Sequence, residues 1–229
     1  MRLKFFLLLI VVSVSTHAAS AESPAQAGHD YEPVIVIVGD SLSAAYGMEI
    51  SQSWPSLLQE RLIQNGYSCR VFNSSIAGDT TQGGLARLPR LLERHQPDIV
   101  ILELGGNDGL RGLPLEVTRG NLSSMIEQSQ SRGASVVLAE MRIPPNYGQS
   151  YTERFNATYS ELAGQYGISM LPFLLQDIAL EEGLMQADGI HPTAQAQPLI
   201  VDQVWRVLQP LLPGEATTTF STSPENSTR

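Results

Sequence analysis

Lysine is nearly missing from this chain of 229 residues: Lys4 is the only one among its 14 Lys and Arg residues. Without a lysine beyond position 4 there is no Walker-type phosphate loop, no Schiff-base amine and no Ser-Lys dyad. Cysteine is equally scarce. Cys69 stands alone, so no internal disulfide can form. It lies between Ser68 and Arg70 at the head of an expected strand and reads as a buried, inert thiol. The histidines are His17, His29, His95 and His191, none with a second ligand at helical spacing. Zinc sites usually draw on several Cys and His together, so no metal and no cofactor is expected. Positive charge is in deficit, with 14 Lys and Arg against 23 Asp and Glu. That balance argues against nucleic acid as a partner. The first Gly-rich loop offers Gly39 and then only Gly47, which is no G-x-G-x-x-G dinucleotide fingerprint.

The one notable apolar run is N-terminal and short. Arg2 and Lys4 precede Phe5 to Val14, and Ala19-Ser20-Ala21 fits a small-x-small cleavage site. A bilayer span needs about 20 residues, so residues 1–21 are expected to be a cleaved secretory leader. The mature chain would be 229 − 21 = 208 residues with a net charge of −9 − 2 = −11. The expected location is periplasmic or secreted, with no stable membrane insertion after cleavage. Residues 22–30 read as loose, 22–213 as one α/β domain, and 214–229, rich in Thr, Ser, Pro and Glu, as a disordered tail.

Within the domain, strands and helices alternate. Val34 to Val38 is a continuous β-branched run, the mark of a strand buried on both faces. Further strands are expected at Cys69–Phe72, Ile99–Leu104, Ala134–Ala139 and Ile168–Leu171. Helices are expected over Trp54–Asn65, Gly84–His95, Leu115–Ser131, Tyr151–Tyr166 and Thr193–Leu208, with Pro89 kinking or shortening the second. This rhythm predicts a five-stranded parallel sheet covered by helices on both faces. Right-handed crossovers then gather every strand-to-helix loop at one edge, where ligands bind.

Four such segments carry polar residues suited to chemistry. Ser41 follows the first strand in Gly39-Asp40-Ser41-Leu42-Ser43. The stretch lacks the second glycine of the G-x-S-x-G elbow, and Ser41 or Ser43 could equally start a short helix through Ala44 to Tyr46. His191 is the credible base, because His29 lies in the loose segment and His95 in a polar helix end. Asp188, three residues earlier with Gly189 between, could reach one imidazole nitrogen and leave the other for Ser41, or could simply form an Asx turn. A serine, an imidazole and an orienting carboxylate are the parts of acyl-transfer hydrolysis. That chemistry also needs oxyanion donors. The N–H groups of Ser41 and Gly78 and the Asn107 amide suit this, although Gly105 to Gly109 also fits an ordinary turn.

Jointly, these blocks resemble the GDSL, or SGNH, hydrolase family, whose four eponymous residues fall on Ser41, Gly78, Asn107 and His191, with Asp188 as its acid. The resemblance runs from residue 34 to about 210 and is strongest to the bacterial exported thioesterase I/lysophospholipase/arylesterase group. The carrying segments are Gly105 to Gly112, Pro144 to Gly148 and Met185 to Pro192. It implies a flavodoxin-like three-layer αβα fold, no metal, and a serine esterase acting on small-molecule thioesters such as acyl-CoA, aryl esters and lysophospholipids; a monomer is expected. Carbohydrate O-acetylesterase is the rival activity, and a non-catalytic acyl- or ligand-binding protein on the same fold is the rival of another class. An acyl chain would need an apolar groove, for which Leu110, Leu113, Met141, Ile143, Pro144 and Tyr147 are candidates. Leu110 to Pro114 would close over it if Gly109 and Gly112 act as pivots.

Overall fold

Five apolar strands give this chain its centre. The computed structural model describes residues 32–212; the expected leader, the loose segment 22–30 and the expected tail lie outside the described residues. The strands are β1 (Val34–Gly39), β2 (Arg70–Asn73), β3 (Ile99–Glu103), β4 (Ser135–Ala139) and β5 (Ser169–Leu171). All pair in parallel, in the order β2-β1-β3-β4-β5. The helices are α1 (Trp54–Gln64), α2 (Thr81–His95), α3 (Gly106–Leu110), α4 (Leu115–Ser131), α5 (Gln149–Tyr166) and α6 (Gln197–Leu208).

Alternate side chains along each strand point to opposite faces, and both faces here are apolar. Ile35, Ile37, Ile99 and Ile101 pack against Trp54, Leu58 and Leu62 of α1 and Ile200 and Val204 of α6. Val36, Val38, Val100 and Leu102 pack against Leu88 and Leu92 of α2, Leu122 and Met125 of α4, and Phe155 and Tyr159 of α5. The result is the expected three-layer αβα sandwich. Its strand order reverses between β1 and β3, and ligands in such sheets bind beyond the strand ends at that reversal.

Three local expectations need correction. The second helix starts at Thr81, not Gly84, and runs unbroken through Pro89 to His95. Pro89 is exposed while Gly84, Leu88 and Leu92 are buried. The hydrogen bond that proline forfeits therefore lies on the exposed face, and the packed face keeps the helix continuous. The Gly105 to Gly109 block is not a plain turn: Gly106–Leu110 forms α3 after Gly105 in the left-handed region at φ 112°. Lastly, Ala194–Ala196 is a separate 3-10 turn ahead of α6.

Candidate active site

The chain leaves β1 at Gly39 and passes through consecutive turns over residues 41–47, so Ser41 and Ser43 start no helix. Ala45 and Gly47 both sit in the left-handed region, at φ 59° and 71°. The two serines then diverge. Ser41 faces the cleft, while the buried Ser43 hydroxyl donates inward to Glu103 Oε2 at 2.6 Å.

His191 comes from the far end of the chain. Residues 185–192 form a narrow loop closed by a Met185–Pro192 bridge and by the Gln186 N–H on the His191 carbonyl at 2.8 Å. Gly189, at φ 67°, makes the bend. Asp188 Oδ1 accepts the N–H groups of Ile190 and His191 at 2.9 and 3.0 Å. Its Oδ2 lies 2.7 Å from His191 Nδ1, and His191 Nε2 lies 2.9 Å from Ser41 Oγ, across 150 residues of chain. Asp188 therefore forms an Asx-type turn and an imidazole contact together. The His191 side chain, followed by the two backbone donors, holds the Asp188 carboxyl down at about 2. An ionised carboxylate only accepts, so Nδ1 carries the proton and Nε2 is left to accept from Ser41. The Tyr46 ring lies over the imidazole at 4.1 Å between centroids.

Three donors were expected near Ser41. The Ser41 and Gly78 N–H groups donate to no other group among the described residues, and Gly78 sits in the left-handed region at φ 75°. Asn107 differs from a freely aimed amide. Its Nδ2 already donates to Asp40 Oδ2 and to the Asp79 carbonyl, each at 2.9 Å. Asn107 lines the cleft beside Ser41, whereas the exposed Gly78 is not part of its lining.

Several residues that hold the loops together were not singled out in the sequence. Arg87 bridges the first two loops: it pairs with Asp79 and donates to the Ser74 and Gly39 carbonyls at 3.2 and 3.1 Å. Asp108 is fully buried and accepts the Thr81 N–H and hydroxyl at 2.9 and 2.5 Å, tying α3 to the start of α2. Asp40, next to Ser41, and Glu103, which accepts the Asp40 N–H, are buried acids. Burial dominates their chemistry, raising Asp40 to about 6 and Glu103 well above the usual carboxylate range. The acidic end of an apolar strand was the available signal for Glu103. Cys69 is buried as expected, and burial pushes its thiol up. His95 packs on the Phe72 ring at 4.2 Å, away from these loops. Among the described residues, no group of three or more His, Cys, Asp and Glu could hold a metal ion.

A mainly apolar cleft of about 420 Å³ opens from Ser41 and His191. Leu110, Met141, Ile143 and Pro144 line it as expected; Leu113 and Tyr147 do not. The Tyr147 hydroxyl instead donates to the Leu110 carbonyl at 2.8 Å, and the Tyr151 hydroxyl to the Leu113 carbonyl at 2.9 Å. The lining also includes Leu42, Phe173, Leu175, Ala179, Met185 and Ile190. The loop after β5 supplies Phe173 to Ala179, and its place at the same edge was implicit in the parallel topology. Gly109 is buried, and a Cβ there would meet Ile143 Cγ2 at 2.5 Å and Phe155 Cε2 at 2.8 Å. Gly112 is exposed, at φ 63°, with open space around it.

A parallel αβα sandwich with hydroxyl, imidazole and carboxylate in line beyond its strand ends belongs to the class of serine-dependent hydrolase folds. Residues 37–198 match the profile of the GDSL-like Lipase/Acylhydrolase family, and the chain belongs to that family. It is 49% identical over 178 residues, 78% of this chain and 89% of the other, to Esterase TesA of Pseudomonas aeruginosa. It is 43% identical over 204 residues, 89% and 91% of the two chains, to the Thioesterase 1/protease 1/lysophospholipase L1 of Escherichia coli K12. Among solved structures, a crystal structure of TesA superposes with a TM-score of 0.76 at 49% identity, covering 78% of this chain and 99% of that one. The psychrotrophic esterase EstA from Pseudoalteromonas sp., in a structure inhibited by monoethylphosphonate, gives 0.76 at 38% identity, covering 78% and 98%.

Proposed function

We propose that this protein is a serine esterase that hydrolyses acyl esters and thioesters, including aryl esters, lysophospholipids and acyl-CoA, through an acyl-serine intermediate. The carrying observation is the relay Asp188 Oδ2 to His191 Nδ1 at 2.7 Å and His191 Nε2 to Ser41 Oγ at 2.9 Å. Ser41 Oγ attacks the acyl carbonyl carbon while Nε2 takes its proton. Asp188 holds the tautomer and faces the imidazolium that forms. The carbonyl oxygen, now anionic, is received by the Ser41 and Gly78 N–H groups and by the Asn107 amide. Because both Asn107 hydrogens are already engaged, the oxyanion shares one of them in a three-centre bond. The imidazolium protonates the departing alkoxide or thiolate as the tetrahedral adduct collapses to acyl-serine. Water then attacks that ester, gives its proton to Nε2, and the acid leaves with Ser41 restored.

The cleft receives the acyl chain on Leu110, Met141, Ile143, Pro144 and the β5 loop, which favours acyl groups longer than acetyl. The relatives support the range: one is an esterase, one an arylesterase from Vibrio mimicus, and one a thioesterase and lysophospholipase. Residues 1–21 direct export to the periplasm or beyond, and the enzyme acts there as a monomer on small molecules, without nucleic acid or membrane insertion. Among the described residues no helix is long and apolar enough to cross a membrane.

The test is Ser41→Ala assayed on a p-nitrophenyl ester series and on lysophosphatidylcholine, with fluorophosphonate labelling of both proteins. The expected result is loss of turnover and labelling in a folded variant. Normal turnover by that variant would overturn the assignment. Acetyl-xylan release with no longer-chain activity would move it to carbohydrate O-acetylesterase. A folded wild-type protein that binds esters but resists the label would be a binding protein.

A further inference from the structure

Glu103 ends β3, the middle strand, and is fully buried. Gly39 of β1 lies opposite it in the sheet register. A Cβ on Gly39 would meet Glu103 Oε2 at 2.6 Å and Ser43 Oγ at 3.0 Å, so glycine is what lets the carboxyl reach the nucleophile turn. Glu103 Oε2 accepts the Ser43 hydroxyl at 2.6 Å and the Asp40 N–H at 3.2 Å. Ser43 Oγ accepts in turn from the indole N–H of the buried Trp54 at 3.2 Å. Glu103 Oε1 meets no donor among the described residues.

No cation compensates this acid. The ion pairs of the described residues do not include Glu103. The nearby guanidinium of Arg87 is spent on Asp79 and two carbonyls. An unpaired ionised carboxylate in such a place is very costly, and the group keeps its proton instead. The neighbouring acid strengthens the argument. Asp40 is a second buried acid beside Glu103, and two like charges held this close disfavour ionising both. Asp40 has donors on both oxygens, Leu42 N–H at 3.1 Å and Asn107 Nδ2 at 2.9 Å, as suits a carboxylate. Glu103 Oε2 accepts two donors and Oε1 has no partner among the described residues, so Oε1 is the oxygen left to carry the hydrogen.

We propose that Glu103 is a positioning residue that works as a neutral carboxylic acid, its Oε2 accepting the Asp40 N–H and the Ser43 hydroxyl so that the turn bearing Ser41 is fixed from both sides of the nucleophile. Hydrogen bonds then run from Trp54 through Ser43 and Glu103 to the Asp40 N–H, and the Asp40 side chain meets Asn107. They link the α1 side of the core to a donor expected to meet the oxyanion. The inference rests on the esterase reading for its kinetic consequence, though not for the protonation state.

The experiment compares Glu103→Gln and Glu103→Leu with the wild type. The neutral amide keeps the accepting oxygen, so Glu103→Gln should keep kcat within about threefold. Glu103→Leu cuts these hydrogen bonds; kcat should fall about 10- to 100-fold with KM changed less than about twofold, and fluorophosphonate labelling should slow in parallel. Infrared difference spectra at pH 8 should show a protonated-carboxyl C=O band in wild type and in Ser41→Ala that is missing from Glu103→Gln. A folded Glu103→Gln as impaired as Glu103→Leu, a folded Glu103→Leu with wild-type kcat, or no such band, overturns the proposal. Should Glu103→Leu fail to fold, Glu103→Gln and the band still decide. If Ser41→Ala retains turnover, the esterase reading fails while the band still reports on Glu103.

Discussion

Asp188 shows how much one side chain carries here. One of its oxygens closes its own loop and the other meets the imidazole. Asp188→Asn can keep the first function through Oδ1, but it can place an amide N–H against Nδ1 and favour the wrong tautomer. Ester turnover should fall roughly 10²- to 10⁴-fold with the melting temperature little changed. A steady-state assay beside a thermal melt checks this, and an unchanged kcat would remove Asp188 from the relay. At this scale the sequence was partly legible. Asp188, Gly189 and His191 are close in the chain, so their geometry follows from local turn rules. The engagement of both Asn107 hydrogens was not readable, because Asp40 and Asp79 are 67 and 28 residues away.

At the scale of elements, the cleft is assembled from loops, and its walls differ in origin. Met141 and Ile143 follow β4 and are almost wholly buried, while Phe173, Leu175 and Ala179 follow β5. Shortening a wall should change discrimination between acyl lengths by about 1–3 kcal/mol per pocket contact removed. Phe173→Ala should therefore alter the ratio of kcat/KM for octanoyl over butyryl p-nitrophenyl esters by roughly tenfold or more. Leu113→Ala should leave that ratio unchanged, since Leu113 lies off the cleft. Equal effects of the two would mean that the chain lies elsewhere. Strands and long helices were legible because their apolar spacing is regular. α3 was not, because Gly106, Asn107, Asp108 and Gly109 carry the composition of a turn. Contacts at a distance make it a helix, above all buried Asp108 held by Thr81 and Gly109 packed beneath Ile143 and Phe155.

Across the whole molecule, buried and exposed acids act on stability in opposite directions. Asp188 is depressed to about 2, so its contribution is present above the ordinary carboxylate value of 3.8 and is lost as pH falls toward 2. Asp40 is raised from 3.8 to about 6 by burial, so its contribution is present below about 4 and is lost as pH rises through 6. Melting temperatures of Asp40→Asn and wild type should therefore diverge with pH. Between pH 5 and pH 8 the difference should move in the variant's favour by a few degrees, at about 2–4 °C per kcal/mol for a domain of this size. A difference that stays constant with pH would show that Asp40 titrates alike in the folded and unfolded chains.

Composition, periodicity and turn chemistry are properties of neighbours along the chain. They were enough to predict a parallel αβα sandwich and the edge where its loops gather, and they offered Ser41, His191 and Asp188 as candidates that the family resemblance joined. Tertiary structure alone decided which groups stand behind them: Glu103 under the Ser41 turn, Arg87 across two loops, the second hydrogen of Asn107, and the β5 wall of the cleft. Those contacts join residues distant in sequence, and a hydrogen bond or a buried charge is settled by separation in space and exclusion of water, neither of which a linear pattern records.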